Sequence, residues 1–354
     1  MAENSGIEWT DDTFNCWRGC QKVSPACKFC YAETRSNRFG EDFSGQRIVL
    51  SDAGWKSPVK WNEKGGVCTK CGGDTLSNQP SLTAGISQCC DATIRRRRVF
   101  CASLADVFED WDGPMVNHNG KEMWIDPKDN EWITTANLSE RFAEENMGWR
   151  RLTISDVRRR LFSLIDATPN LDWLLLTKRP ENIRGMWPST PGISGNHPAS
   201  SFEEAESVPY RPNVWLGTTT ENQRSYDERI EYLHNVQDLC KFRFLSCEPL
   251  LGPLQLALPQ YPVDWVIAGG ESGSNARPSH PDWFRSLRDQ CKDAGVPFHF
   301  KQWGRFHLSK MINGGLMDHK FNDGTCMTPI GKKKAGRLLD GTEHNGFPVN
   351  DFEG

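Results

Sequence analysis

Leu171-Asp172-Trp173-Leu174-Leu175-Leu176-Thr177, followed by Lys178-Arg179-Pro180, is a near-continuous apolar run that stops on two cations. Apolar residues at successive positions mean a strand buried on both faces, the condition of a parallel sheet and not of an antiparallel sheet with one wet face. The pattern recurs outward from this stretch. Residues 214–218 end in Thr219-Thr220-Glu221-Asn222, 242–246 in Cys247-Glu248-Pro249, and 265–268 in Gly269-Gly270-Glu271-Ser272-Gly273. Toward the N-terminus, residues 99–103 end in Leu104-Ala105-Asp106, and the series closes on residues 297–304 with Lys301.

Helical signals fall between these runs. Thr153-Ile154-Ser155-Asp156 reads as a capping box before Val157, Leu161, Leu164 and Ile165 at the 3.6 period. Ser225-Tyr226-Asp227-Glu228 opens a second helix through Ile230 and Leu233. Ser279-His280-Pro281-Asp282 opens a third, carrying Phe284, Leu287 and Cys291 and stopped at Gly295. Strand–helix repeats of this length imply parallel strands joined by right-handed crossovers. Asp106, Lys178, Glu221, Glu248, Glu271 and Lys301 each fall just past the C-terminal end of an expected strand, the face on which barrel active sites assemble. An open doubly wound sheet would gather them at one switch point. The expected fold is therefore α/β, a partial or complete parallel β/α (TIM-like) barrel.

Upstream, Asn15 to Tyr31 carries Cys16, Cys20, Cys27 and Cys30. Thiolates select soft metals, and a short loop wraps one centre at little closure cost. The loop opens a first unit, residues 1–61, in which 31–39 reads as a short helix and 45–61 only as connection. Residues 62–94 read as an insertion with a possible zinc ribbon of Cys68, Cys71, Cys89 and Cys90, although an adjacent Cys89-Cys90 pair makes a poor second knuckle. A barrel strand at 95–110 follows, then a polar insertion at 111–150 with an Asn119-Gly120 hairpin turn, the rest of the barrel at 151–304, and a tail at 305–354 whose Gly336 to Gly341 folds back over the barrel mouth.

The 354 residues carry a net charge of −4, which argues against wholesale coating of a nucleic-acid duplex, while Arg95 to Arg98 could form a local contact or a solvated face. There is no apolar run of membrane-spanning length and no signal-peptide core near Met1. The expected location is cytoplasmic, with no membrane partner, where 13 cysteines would stay reduced. Cys101 and Cys247, on strands, read as core thiols.

Several motifs agree in order with one family. Ile7-Glu8-Trp9-Thr10, the C-x6-C-x2-C-Tyr of Cys20, Cys27 and Cys30, Thr177-Lys178-Arg179-Pro180, Ser246-Cys247-Glu248-Pro249-Leu250, Gly269 to Gly273 and Lys301-Gln302-Trp303-Gly304 resemble the phage- and prophage-associated three-cysteine-motif family. That family in turn resembles radical S-adenosylmethionine enzymes in layout. The resemblance implies a [4Fe-4S] cluster on Cys20, Cys27 and Cys30, with the open iron holding S-adenosylmethionine for one-electron cleavage to a 5'-deoxyadenosyl radical. Against the usual C-x3-C-x2-C, the gap from Cys20 to Cys27 is six residues.

Ligand count decides the chemistry, because three thiolates leave one iron open and four close the centre. Cys16 forms a C-x3-C with Cys20 and stands as a candidate fourth ligand. Around the cofactor the expected contacts are Asp106, Lys178, Glu221, Glu248, Gly269, Gly270 and Glu271. The expected function is a radical S-adenosylmethionine-type enzyme acting on a nucleic-acid base or nucleotide, in modification or repair, with an electron donor and a candidate partner protein. Two alternatives stand beside it: a non-catalytic zinc-dependent nucleic-acid-binding or phage accessory protein, and a closed four-cysteine iron–sulfur redox protein.

Overall fold

The structure, a computed structural model, describes residues 3–72, 93–126, 128, 131–134, 149–188, 209–308 and 319–348. Seven parallel strands form one sheet: β1 (Asp12–Phe14), β2 (Arg97–Cys101), β3 (Leu171–Thr177), β4 (Arg211–Thr219), β5 (Cys240–Cys247), β6 (Trp265–Gly269) and β7 (Phe298–Gln302). They pair in chain order, each strand beside the next, as crossovers of one hand require. The first of them, β1, lies within what the sequence offered only as an extended entry to the cysteine loop.

Alternation along each strand sorts side chains onto two faces. Trp173 and Leu175 of β3 face outward into the larger core, against Val157, Leu161 and Ile165 of α2 (Ile154–Asp166). Leu174 faces inward with Phe100, Trp215, Phe244, Trp265 and Ile267, a separate cluster that fills the base of the sheet's concave side. Trp9, just before the β1 edge, closes this cluster: its ring lies 4.7 Å from Phe100 and 6.1 Å from Trp265 of β6. An edge residue can reach β6 only if the sheet curls, so the architecture is a half-barrel, consistent with a partial parallel β/α barrel. Among the described residues no pairing joins β7 to β1.

The helices fit the strand–helix alternation with differences. α1 (Tyr31–Arg38) follows the cysteine loop, α2 bears the Thr153/Asp156 capping box, and α4 (Pro281–Asp293) is capped by His280 and followed by Gly295 at φ 67°. α3 (Gln223–His234) starts before the expected box, because Asn222 caps it by accepting from the Ser225 N–H. Between β5 and β6 there is no helix; Leu250, Leu254, Leu256 and Leu258 cover the sheet there from irregular chain. The stretch 45–61, expected as mere connection, holds a strand at Arg47–Val49 and helices at Asp52–Trp55 and Ser57–Glu63. They are too short to display a period, and Trp55 and Trp61 anchor them.

The tail differs too. It leaves the mouth at Gly336, whose carbonyl accepts from the Trp303 N–H, runs past Arg285 and Arg288 through Asp340, and pairs at His344 to Gly346 with β7. It covers an edge strand that would otherwise expose unpaired backbone groups. Phe347 then stacks on Arg98 and Trp265 at the base. The expected fold-back over the mouth is instead a strap down the open edge.

His299 of β7 is 1% exposed at this base with neither ring nitrogen partnered, and burial, helped by Arg337, Lys301 and Arg98, pushes its pKa down to about 3. The unfolded chain binds a proton near pH 6.5 that the folded chain refuses until about pH 3, so stability falls as pH drops through that window. Chemical denaturation should show a loss of about 2 kcal/mol between pH 7 and pH 5, and His299→Leu should flatten that slope. An unchanged slope in the variant would remove His299 as its source.

Among the described residues no helix is long and apolar enough to cross a membrane. The strand Val67–Cys68 pairs with Ile94–Arg95, placing Cys68 in the interior and Cys71 at the surface; Cys89 and Cys90 lie outside the described residues. The arginine run is neither solvated nor a free contact surface. Arg95 pairs with Asp11, Arg96 with Asp172 and Arg97 with Asp12, while Arg98 is buried against Phe347.

Candidate functional site

The loop after β1 is built in two halves. In the first, Cys16 is 0% exposed in the outer core, hydrogen-bonded to Cys101 of β2, whose thiol is pushed well up by burial and by that neighbour. Trp17 and Arg18 then pair with Val49 and Ile48. Gly19, at φ 111°, turns the chain where a Cβ would meet the Gln46 carbonyl at 2.5 Å, so only glycine fits.

Beyond that turn the loop crosses the C-terminal ends of the strands. The Cys20 N–H donates to the Phe43 carbonyl, the Gln21 N–H to Glu109 Oε1 at 2.7 Å, and Arg179 Nη1 lies 3.7 Å from the Cys20 sulfur. A short 3-10 turn, Pro25–Cys27, follows. The Ala26 N–H donates to Glu221, itself paired with Arg229 at 2.9 Å. The Pro25 carbonyl accepts from Arg277 Nη1 at 3.0 Å, and Arg277 is held in a fork by Glu271. Tyr31 donates its hydroxyl to the Ser103 carbonyl.

Strand-end acids thus fasten the loop. Asp106 accepts from Thr177 at 2.6 Å, from the Lys178 N–H and from Arg179, which in turn holds Cys20 and the Gln21 carbonyl. Asp106, Glu221 and Glu271 are therefore engaged with the loop's supports; of the residues the sequence offered as cofactor contacts, Asp106, Lys178, Glu248, Gly270 and Glu271 line the cavity described next, and Glu221 and Gly269 do not. Gly270 likewise has a backbone reason: a Cβ there would lie 1.9 Å from the Trp303 carbonyl oxygen. A Cβ at Gly269 would lie 3.3 Å from the Cγ of Glu248.

Cys20, Cys27 and Cys30 all border one cavity of about 550 Å³. Its floor includes Trp9 and Phe100 of the buried aromatic layer with Leu176, Thr219 and Ser246, and Lys178, Glu248 and Lys301 line it too. Lys301 pairs with Glu248 at 2.8 Å and Gln302 donates to the same carboxylate at 3.1 Å. Lys178 has no ion pair among the described residues, so it presents a free cation to the cavity.

The thiols differ in their surroundings. Burial pushes Cys20 up to about 12, aided by Asp106 and Glu109. At Cys27 burial opposes ionisation, but Lys178, the Val23 and Ser24 backbone and the Ser24 hydroxyl outweigh it and hold the thiol below its ordinary value. Cys247, on β5, is fully buried and pushed up to about 12, as a core thiol is. Among the described residues the one group of three or more metal-ligating side chains whose donor atoms lie within 4.8 Å of one another is His280, Asp282 and Asp323. There the His280 ring accepts from the Asp282 N–H and pairs with Asp323, a cap that pins the tail hairpin. The donor atoms of Cys20, Cys27 and Cys30 do not all lie within 4.8 Å of one another.

Sequence reasoning missed Glu109, Arg47, Arg277 and the floor residue Trp9. Glu109 lies three residues past Asp106 and could have been read as a second strand-end acid. Arg277 carried no signal, since its partners are Glu271 and a carbonyl 252 positions away.

A family model described as "Protein of unknown function (DUF5131)" matches residues 4–119 and 129–348. No curated protein and no solved structure matches the chain.

Proposed function

The chain belongs to the DUF5131 family, and from its site geometry we propose that it is an iron–sulfur enzyme of the radical S-adenosylmethionine type. One observation carries this reading: Cys20, Cys27 and Cys30 border the cavity at the C-terminal ends of the strands, whereas Cys16 sits in the core with Cys101. Three available thiols, not four, is the donor set of a cluster with one iron free of protein.

The cluster would be held by Cys20, Cys27 and Cys30. When bound, a cluster with one open iron supplies an electron for reductive cleavage of S-adenosylmethionine. The protein's own groups set the stage for it. Arg179, Glu221 and Arg277 fix the loop at its two ends, so the thiols keep their places without a metal to gather them. Lys178, beside Cys27, offers a cation to an anionic group, and the Glu248–Lys301 pair presents both signs to a zwitterion. Phe29 and Val23 line the mouth and limit water entry.

Anaerobically reconstituted, dithionite-reduced protein should show a [4Fe-4S] signal in low-temperature electron paramagnetic resonance that shifts on adding S-adenosylmethionine. A cluster signal indifferent to the cofactor, or stoichiometric zinc without iron, would overturn the proposal.

A further inference from the structure

The cavity mouth has a chemistry that the iron–sulfur reading does not use. On one side stands α1, with Tyr31 lining the cavity and Arg35 and Arg38 following at i+4 and i+7, on the same helix face. Tyr31 is 57% exposed, and Phe39, just past the helix and stacked by Arg35, is 67% exposed. The short helix Lys332–Ala335 carries three successive exposed lysines, the first lining the cavity itself. Lys28 lies over the ring of Phe29, which lines the cavity.

These cations are not tied up in ion pairs, although Arg35 acts on Glu41 at longer range. Nearby acids are already spent: Glu33 pairs with Lys22, Glu41 with Arg18, and Glu271 with Arg277. Arg35, Arg38, Lys28 and Lys332 to Lys334 have no ion pair among the described residues. In a chain of net charge −4, these six exposed cations lie on two short segments, α1 with the turn before it and Lys332–Ala335, that each put a residue into the cavity lining. Exposed aromatics interleaved with them add flat surfaces for stacking.

We propose that this rim binds a single-stranded nucleic-acid segment, its phosphates on the two cationic banks and one unstacked base lowered into the cavity toward Phe100 and Trp9. Phosphate-binding cations interleaved with aromatic platforms are what a single strand requires. A base must leave its stack to be reached inside a closed pocket, and the apolar floor receives its flat face. A folded acidic protein would satisfy the cations but leave Tyr31 and Phe39 without stacking partners. The proposal names the substrate class of the iron–sulfur site and so rests on that reading for its chemistry, while the docking itself is measured without turnover.

The test is fluorescence anisotropy of a labelled oligonucleotide of about a dozen residues, as DNA and as RNA, on the reconstituted full chain, with the corresponding duplex and polyglutamate as competitors. The single strand should bind, and Arg35→Glu/Arg38→Glu should weaken it more than tenfold at about 0.1 M salt and lower the salt slope by about 1.4. Lys332→Glu/Lys333→Glu/Lys334→Glu should weaken it likewise from the other bank and lower the slope by about 2.1. All five side chains are exposed, and an unchanged circular dichroism spectrum and cluster signal would confirm intact variants. Affinity within about twofold of the parent in both variants, or equal competition by duplex or polyglutamate, would overturn the proposal. Failure of binding beside a cofactor-shifted cluster signal would remove the substrate class alone; binding without that shift would remove the iron–sulfur reading alone.

Discussion

Cys27→Ala protein, reconstituted anaerobically, is expected to hold less than about a tenth of the parent iron and to release no 5'-deoxyadenosine, whereas Cys16→Ala keeps both. Cys27 borders the cavity and is the thiol whose ionisation its neighbours favour. With two thiolates left, the cube loses an iron corner and its site for the cofactor. Cys16 is a core residue whose truncation removes one buried sulfur contacting Cys101, a cost of about 1 kcal/mol in stability and none in ligation. Iron content, the reduced cluster signal and 5'-deoxyadenosine release measure the contrast. Equal loss in the two variants would mean that the loop repacks to bring Cys16 in, and the closed four-thiolate centre would replace the open one.

Cys16 and Cys20 show where sequence stops being informative. Both belong to a C-x3-C and both follow a short extended stretch, so spacing cannot separate them. What separates them is Gly19, which turns the chain off the sheet: before it the thiol faces the outer core, after it the strand ends. The turn depends on a carbonyl at Gln46, supplied by a stretch that carried no readable period.

The strands were legible because burial on both faces writes itself into composition, as in Leu171 to Thr177. The grouping of acids past the strand ends was legible for the same topological reason. Their tasks were not. Asp106, Glu221 and Glu271 look alike in sequence to Glu248, yet the first three hold arginines that support the loop while Glu248 pairs with Lys301 in the cavity. Arg95 to Arg98 misled for the converse reason. A run of four like charges reads as exposed until Asp11, Asp12 and Asp172 are seen opposite it.

Glu109→Ala should destabilise the protein by about 3–5 kcal/mol, a fall in melting temperature on the order of 10 °C. Glu109 and Arg47 are both 0% exposed, joined by two hydrogen bonds of 2.7 and 2.8 Å, with Trp111 stacked on the guanidinium at 3.8 Å. Removing the carboxylate strands a buried cation. It also strands the Gln21 N–H, which Glu109 holds at 2.7 Å beside Cys20, so cluster retention should fall as well. The two losses can be parted. Arg47→Met/Glu109→Leu replaces the pair with apolar bulk and should recover most of the stability, because a buried pair contributes little over a well-packed hydrophobic substitute. It cannot restore an acceptor for Gln21, so the double variant should remain folded yet lose its cluster faster than the parent under air. A single variant melting within about 2 °C of the parent would show that Arg47 finds other partners. A double variant that keeps its cluster as the parent does would show that Phe43 and Arg179 position Cys20 without Glu109.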